Sequence, residues 1–358
     1  MLNSTNAKRL CSPLSDIPWK KIFLCLVLLW PLPALSHEAG NLYREALVAV
    51  ESQDFKKAKP LLEQAIQEFP AFAEAHHLYG LVEFQLTQQP ERAIPALQQA
   101  IQLNPNLAQA QYDLALLFIK QEKMKEAQNA VQQALNIYPR FWEARLTLAK
   151  LFDQLALTNQ ATQEYQTVLT QQPLQPEALY NLSAQYMQTE EFDLALPLLT
   201  QLTEHYPQHA DGWYLLARIA ERQNQPIQAI SAYQHVIQAN PVHSEAHYNL
   251  GFLYQQQGDQ LKAIEQFQRV SQLKPKDAEA FFNLGVLLAG NQQLAEAEQA
   301  YQKGIALQPN SLDGHFNLGA FYEFHKKDLL QARNHYKLYL DLGGKDPRIQ
   351  QLLNQLEK

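Results

Sequence analysis

Between Glu245 and Pro275 the chain reads EAHYNLGFLYQQQGDQLKAIEQFQRVSQLKP, and its apolar and small residues fall at helical spacing. Ala246, Leu250, Gly251 and Tyr254 mark one stripe; Ala263, Ile264, Phe267 and Val270 mark a second. The pattern predicts two amphipathic helices of about 13 residues each, with Gly258 and Asp259 supplying the turn and the start of the second helix. From Glu279 to Pro309 the same pattern returns in register. Its period is given by Pro70, Pro105, Pro139, Pro173, Pro207, Pro241, Pro275 and Pro309, which lie 34 residues apart except for a first interval of 35. A period of this length belongs to a solenoid, in which each hairpin leaves its apolar stripe bare until a neighbour covers it. A chain of 358 residues would ordinarily suggest several globular domains; the repeat predicts one elongated all-α array instead.

Two positions in every unit are small. Gly251 is matched by Ala46, Gly80, Ala115, Ala149, Ser183, Ala217, Gly285 and Gly319, and Ala263 by Ala58, Ala93, Ala127, Ala161, Ala195, Ala229, Ala297 and Ala332. Glycine inside a helix costs about 1 kcal/mol relative to alanine, so its recurrence here points to close helix approach. The units span 39–70, 73–105, 108–139, 142–173, 176–207, 210–241, 244–275, 278–309 and 312–344. The second carries one extra residue near TQQPER and the ninth one near HKKDLL, both expected in the turn between helices. In the ninth, Gly343 and Gly344 replace the closing proline. Residues 345–358 then predict a last helix with Ile349, Leu352, Leu353 and Leu356 on one side, suited to capping the array.

These residues resemble the tetratricopeptide repeat (TPR) family. Trp213, Leu250-Gly251, Tyr254, Ala263, Phe267 and Pro275 stand where that family places its large residue, Leu-Gly, Tyr, Ala, Phe and Pro. The resemblance covers 37–344 and implies a right-handed α-solenoid of about nine TPR hairpins. It also implies that one face of every first helix lies on the concave side, where ligands are to be sought.

The first 36 residues stand apart from the array. Lys8, Arg9, Lys20 and Lys21 precede an apolar run, Ile22 to Trp30, followed by PLPALS, with Ala34 and Ser36 in a small-x-small arrangement. This pattern predicts a signal peptide cleaved before His37, and hence an exported, periplasmic or extracellular protein. The competing reading is an uncut membrane anchor. Pro31 and Pro33 interrupt the run, which is shorter than the roughly 20 residues a spanning helix needs, so no stable membrane insertion is expected after cleavage. Cys11 and Cys25 would leave with the signal, taking any thiol, disulfide or cysteine metal site with them. Loss of four basic residues and Asp16 would move the formal net charge from −7 to −10. An acidic body excludes nucleic acid as the expected partner, since phosphate binding requires a basic surface.

Three positions on the first helices carry candidate binding chemistry. Glu74, Glu143, Glu177, Asp211, Glu245, Glu279 and Asp313 recur near the helix start. They read either as an acidic ladder or as charges that oppose the helix dipole, worth about 0.3–1 kcal/mol each. Tyr43, His77, Tyr112, Tyr180, Tyr214, Tyr248, Phe282 and Phe316 form an aromatic ladder, with Leu146 at the same position. Rings there either pack between helices or supply contact area in a groove at low entropy cost. Beside them stand Asp113, Asn181, Asn249, Asn283 and Asn317. Asparagine is a poor helix-interior residue, so its recurrence suggests that the amide is used. The arrangement resembles the asparagine ladder of the O-GlcNAc transferase repeat domain, which holds the backbone of an extended peptide. The candidate groove set is thus Tyr112, Asp113, Tyr180, Asn181, Tyr214, Tyr248, Asn249, Phe282, Asn283, Phe316 and Asn317.

Catalytic chemistry finds no foothold in the sequence. There is no HExxH, phosphate loop or GxSxG elbow. His76, His247 and His315 share one repeat position, but helices of adjacent repeats lie about 10 Å apart, too far for two imidazoles to hold one zinc; they read as surface or packing residues. No cofactor or metal is expected. The pattern predicts a noncatalytic scaffold that binds a protein or extended peptide in envelope assembly, secretion or pilus biogenesis. The competing function is an envelope-glycan-binding or polysaccharide-export accessory protein, since tyrosines beside amides and acids also suit sugar rings.

Overall fold

A computed structural model describes residues 37–356. The signal peptide read in residues 1–36, with Cys11 and Cys25, lies outside these residues. The described chain is helical, with no strand among its elements. In order come α1 (His37–Glu51), α2 (Phe55–Glu68), α3 (Ala73–Thr87), α4 (Pro90–Leu103), α5 (Ala108–Lys120), α6 (Met124–Ile137), α7 (Trp142–Gln154), α8 (Thr158–Gln171) and α9 (Pro176–Gln188). There follow α10 (Phe192–His205), α11 (Ala210–Arg222), α12 (Pro226–Ala239), α13 (Ser244–Gln256), α14 (Gln260–Leu273), α15 (Ala278–Gly290) and α16 (Leu294–Leu307). Last are α17 (Leu312–Ala320), prolonged by a π-helical segment (Phe321–Lys326), then α18 (Leu329–Asp341) and α19 (Pro347–Leu356).

Two compact units divide these elements, one ending at Thr189 and the other beginning at Glu190. Within each, the two helices of a hairpin pack together, and each second helix packs on the first helix of the next hairpin. This is the all-α TPR solenoid arrangement of consecutive helix pairs. The repeat period carries no mark of the division at 189.

Inside the hairpins the small positions act as the sequence suggests. A Cβ on Gly251 would stand 2.9 Å from the Phe267 ring, one on Gly285 2.9 Å from Tyr301, and one on Gly319 2.6 Å from Tyr336. The glycine lets a ring of the second helix lie directly against the backbone of the first. Where the ring is a buried tyrosine, its hydroxyl often finds a carboxylate at the far end of the same hairpin. Tyr165 donates to Asp153 at 2.6 Å, Tyr233 to Glu221 at 2.8 Å and Tyr336 to Glu323 at 2.5 Å. A buried phenol needs such an acceptor, because an unmade hydrogen bond costs more than a made one contributes.

Each turn from first to second helix passes through one left-handed residue, at Gln53, Gln88, Glu122, Ala156, Glu190, Asn224, Gly258, Gln292 and Lys327. Only the seventh unit places glycine there. Ala156 has φ 57° and no polar side chain to soften the strain. Ala156→Gly is therefore expected to stabilise the compact unit that ends at Thr189 by about 0.5–1 kcal/mol, read as a higher urea midpoint of the full chain.

The two extra residues do not sit in the turns, as the sequence suggested. The left-handed residues Gln88 and Lys327 each come one place later than the period predicts, so the insertions fall in the first helices. In α3 the helix is longer, and in the ninth hairpin the surplus widens the last turn into the π-helical segment. The turn geometry is the fixed element, and the helix absorbs the residue. Beyond α18, α19 lies on the core of the second unit through Ile349 and Leu353, both buried, with Leu352 partly buried beside them. Arg348 reaches back to both oxygens of Glu323, at 2.9 and 3.0 Å.

Candidate functional site

The ladder residues do not all reach the surface. Tyr112, Asp113, Tyr180, Asn181 and Phe282 are buried, whereas Tyr214, Tyr248, Asn249, Asn283, Phe316 and Asn317 are half-buried. The first five are buried, the packing alternative that the sequence left open beside the groove for the rings.

For Phe282, Tyr112, Tyr248 and Tyr214 the depth follows the size of two other residues, one on the second helix of the hairpin and one on the next first helix. For Phe282 these are Gly304 on α16 and Gly314 on α17; Cβ atoms there would stand 2.4 and 2.5 Å from the ring, which fills both gaps. At the equivalent positions Tyr112 has Ala134 and Ala144, and it too is buried. Tyr248 has Val270 and Ala280, and Tyr214 has Val236 and Ala246. A valine occupies the space into which the ring would otherwise sink, so these two rings stay near the surface.

The amides and their neighbours are used first between repeats. Buried His77 meets Asp113 of the next hairpin, its Nε2 donating to Oδ2 at 2.7 Å, while Gln109 donates to the other carboxylate oxygen at 3.1 Å. Tyr112 donates to Thr147 at 3.1 Å, since the Thr147 hydroxyl is itself spent on the Glu143 carbonyl. Asn283 Nδ2 donates to the Tyr248 hydroxyl at 3.2 Å. In each case a ladder ring is tied to the residue beside the next ladder position along.

The histidines at the shared repeat position have a packing role that their spacing alone did not reveal. His76, His247 and His315 donate through Nε2 to the carbonyls of Pro70, Pro241 and Pro309, at 2.9–3.1 Å. Arg145 and Trp213 do the same to Pro139 and Pro207, at 3.0 Å. Each closes the loop around the proline that ends the preceding unit. The signal was visible as a ring or guanidinium N–H six residues after the proline.

In the second unit the half-buried ladder residues border a cleft of 410 Å³, walled by Tyr214, Arg218, Glu245, Tyr248, Asn249 and Lys274. Three of these are predicted site residues. Arg218 and Lys274 are not among them; Lys274 lies just before the closing proline rather than on a first helix, where the ladder pattern is read. Lys274, Glu245 and Arg218 are paired, while Asp277 caps α15 through the Ala280 N–H at 3.4 Å. Lys274 Nζ donates to Glu245 Oε1 at 2.8 Å, and Ser244 donates to Oε2 at 3.0 Å. Partial burial alone would raise the Glu245 carboxyl, but Lys274, a backbone N–H and Ser244 together hold it down at about 2. Arg218 lies 3.3 Å from Glu221 and over the Tyr214 ring at 6.0 Å. Burial, and the charges of Asp277 and Glu279, push the Tyr248 hydroxyl above its usual range, against the bond from Asn283.

The polarity of Asn249 follows from its neighbours. Tyr233 gives its proton to Glu221 at 2.8 Å, so its oxygen can only accept; Asn249 Nδ2 donates to it at 2.7 Å. Asn249 Oδ1 is thereby turned away from that network. Tyr248, which accepts from Asn283, keeps its own proton to give.

Stacked helical hairpins bordering an open polar cleft are the arrangement of a protein-interaction solenoid. Comparison with known families agrees. The TPR domain of cytochrome c-type biogenesis protein H matches residues 163–311. Two general tetratricopeptide repeat profiles match 43–108 and 282–347, and 85–151 and 118–186. Together they run without a break from 43 to 347, and the chain belongs to the tetratricopeptide repeat family. No curated relative matches the sequence. Among solved structures, the C-terminal part of a TPR repeat-containing protein from Cytophaga hutchinsonii aligns with a TM-score of 0.55 at 16% identity, covering 68% of this chain and 99% of that one. PilF of Pseudomonas aeruginosa gives 0.51 at 19% identity, over 57% and 92%. YrrB, a TPR protein with an unusual peptide-binding site, gives 0.46 at 22%, over 52% and 95%. At these identities the likeness is one of fold alone.

Proposed function

We propose that the protein is a noncatalytic scaffold of an exported assembly system, and that the cleft at Tyr214, Tyr248 and Asn249 takes an extended segment of a partner protein. The observation that carries this reading is the fixed polarity of the cleft. Asn249 Oδ1 is an acceptor and the Tyr248 hydroxyl a donor on neighbouring residues, between two aromatic walls. An extended backbone offers the complementary N–H and C=O, and its side chains gain area against the rings. With Lys274, Glu245 and Arg218 already paired, recognition falls mainly to backbone and apolar contacts. The match of 163–311 to a cytochrome c-type biogenesis TPR domain supports an envelope-assembly setting, and the leader pattern of residues 1–36 supports a periplasmic one. Secretion and pilus biogenesis belong to the same setting.

The test is a panel of unstructured peptides titrated against the full chain by fluorescence polarisation. Tyr214→Ala/Tyr248→Ala should weaken saturable peptide binding at least tenfold with helicity unchanged. Binding confined to envelope glycans, with none to peptides, would replace this reading with the carbohydrate-binding one; undiminished peptide binding by the double variant would move the site elsewhere.

A further inference from the structure

Between the eighth and ninth hairpins lies another cavity, of 630 Å³, that shares no residue with the cleft above. It opens between α16 and α18 where the inserted residue has widened α17 into the π-helical segment, and Tyr322, Lys326, Glu298, Asp328, Gln331 and His335 are among its walls. Cavities of this size accommodate specific ligands, and π-helical turns within α-helices gather at functional sites.

Its chemistry is set by one chain of protons. The Pro309 carbonyl can only accept, so His315 carries an N–H on Nε2, 2.9 Å away, and in the neutral ring its Nδ1 is then the lone pair. His335 Nδ1 lies 3.1 Å from that lone pair and must therefore donate. The ring centroids are 5.4 Å apart with planes 24° from parallel, so the two imidazoles meet edge to edge with both nitrogens on the line between their centres. That alignment suits a shared proton and leaves no room for a metal between the rings. His335 Nε2 is consequently a lone pair, with no hydrogen-bond partner among the described residues. Tyr322, parallel to the ring within 8° at 5.7 Å, fixes its plane. Burial, and the neighbouring His315, hold His335 down at about 4, which keeps that nitrogen unprotonated near neutrality.

The phenol and ammonium donors of the cavity are engaged by one carboxylate. Tyr322 gives its hydroxyl proton to Glu298 Oε1 at 2.8 Å, and Lys326 donates to Oε2 at 3.0 Å. Asp328 uses Oδ1 to cap α18 through the Gln331 N–H. Open acceptors remain at His335 Nε2 and Asp328 Oδ2, in a setting where Glu298 and Asp328 outnumber Lys326. The geometry points to a second binding site, which takes a cationic, hydrogen-bond-donating side chain of a partner protein, of the arginine type, on His335 and Asp328. A planar guanidinium supplies several donors in a fixed fork and stacks on rings such as Tyr322.

The experiment titrates the full chain with the capped tripeptide acetyl-Gly-Arg-Gly-amide and with its norleucine counterpart, following the imidazole nitrogens by long-range ¹H–¹⁵N NMR. The arginine peptide should shift His335 Nε2 saturably, and the norleucine peptide should not. Asp328→Asn, which keeps the helix cap, should weaken the arginine peptide about tenfold, while Tyr248→Ala should leave it unchanged. No shift at His335, equal binding of norleucine, indifference to Asp328→Asn, or shifts spread over acidic residues generally would each overturn the assignment. Because the Tyr248 variant leaves this cavity intact, the outcome is independent of the groove reading.

Discussion

Asp113→Ala should lower the stability of the first unit by about 3 kcal/mol, seen as an earlier urea transition of that unit in the full chain. The carboxylate is fully buried, and its loss leaves the imidazole N–H of His77, itself only 1% exposed, without an acceptor in a dry site. A buried group stripped of its partner carries its whole desolvation cost, commonly 3 kcal/mol or more where the pair is charged. The pair itself need not be stabilising, and the chain contains its own control. One repeat earlier the same two positions are Tyr43 and Leu78, both buried, and the flanking small residues are alanines in both cases: Ala65 and Ala75 there, Ala100 and Ala110 here. His77→Tyr/Asp113→Leu transplants that pair into a site of matching shape. It should recover most of what Asp113→Ala loses, because replacing both partners by a packed pair is far cheaper than removing one. If the double variant is as unstable as the single one, the hydrogen-bonded pair contributes net stability. The loss should be confined to the first unit, since repeat arrays transmit stability through neighbouring interfaces.

Much of this architecture was legible because each repeat states its fold several times. The 34-residue period, the small positions opposed by rings, and the apolar side of 345–358 are local patterns that packing turns into hairpins and a terminal helix. The depth of the ladder rings was legible in principle as well. It requires reading Tyr248 with Val270 and Phe282 with Gly304, 22 residues downstream, instead of comparing the rings only with one another. The rest depends on partners that no period announces. The orientation of the Asn249 amide follows from Tyr233 and Glu221 on another hairpin. The His315–His335 contact joins the first and second helices of the ninth hairpin, where the extra residue has become a π-helical turn, and neither histidine's spacing to the other repeats predicts it. The boundary after Thr189 has no counterpart in the spacing of the prolines.

Phe282→Ala separates a ladder residue that packs from one that binds. The ring is 2% exposed and fills the space left by Gly304 and Gly314, so its removal should cost the second unit about 3–4 kcal/mol. Tyr248→Ala, at a half-buried ring whose gap is already filled by valine, should cost about 1 kcal/mol. The same two positions, 34 residues apart, thus respond differently for a reason written on the opposite helices. The mechanism predicts a rescue. Valine at 304 is incompatible with the wild-type ring, because even its Cβ would lie 2.4 Å from Phe282, and Gly304→Val alone should destabilise by about 2 kcal/mol through overpacking. In the Phe282→Ala background the same valine enters the vacated space and should restore about 1 kcal/mol or more, giving a favourable coupling in the double-mutant cycle measured by urea unfolding. A zero or unfavourable coupling would mean that the two glycines do not set the depth of the ring, and the division of the ladder into packing and surface members would have to rest on something other than the size of the opposing residue.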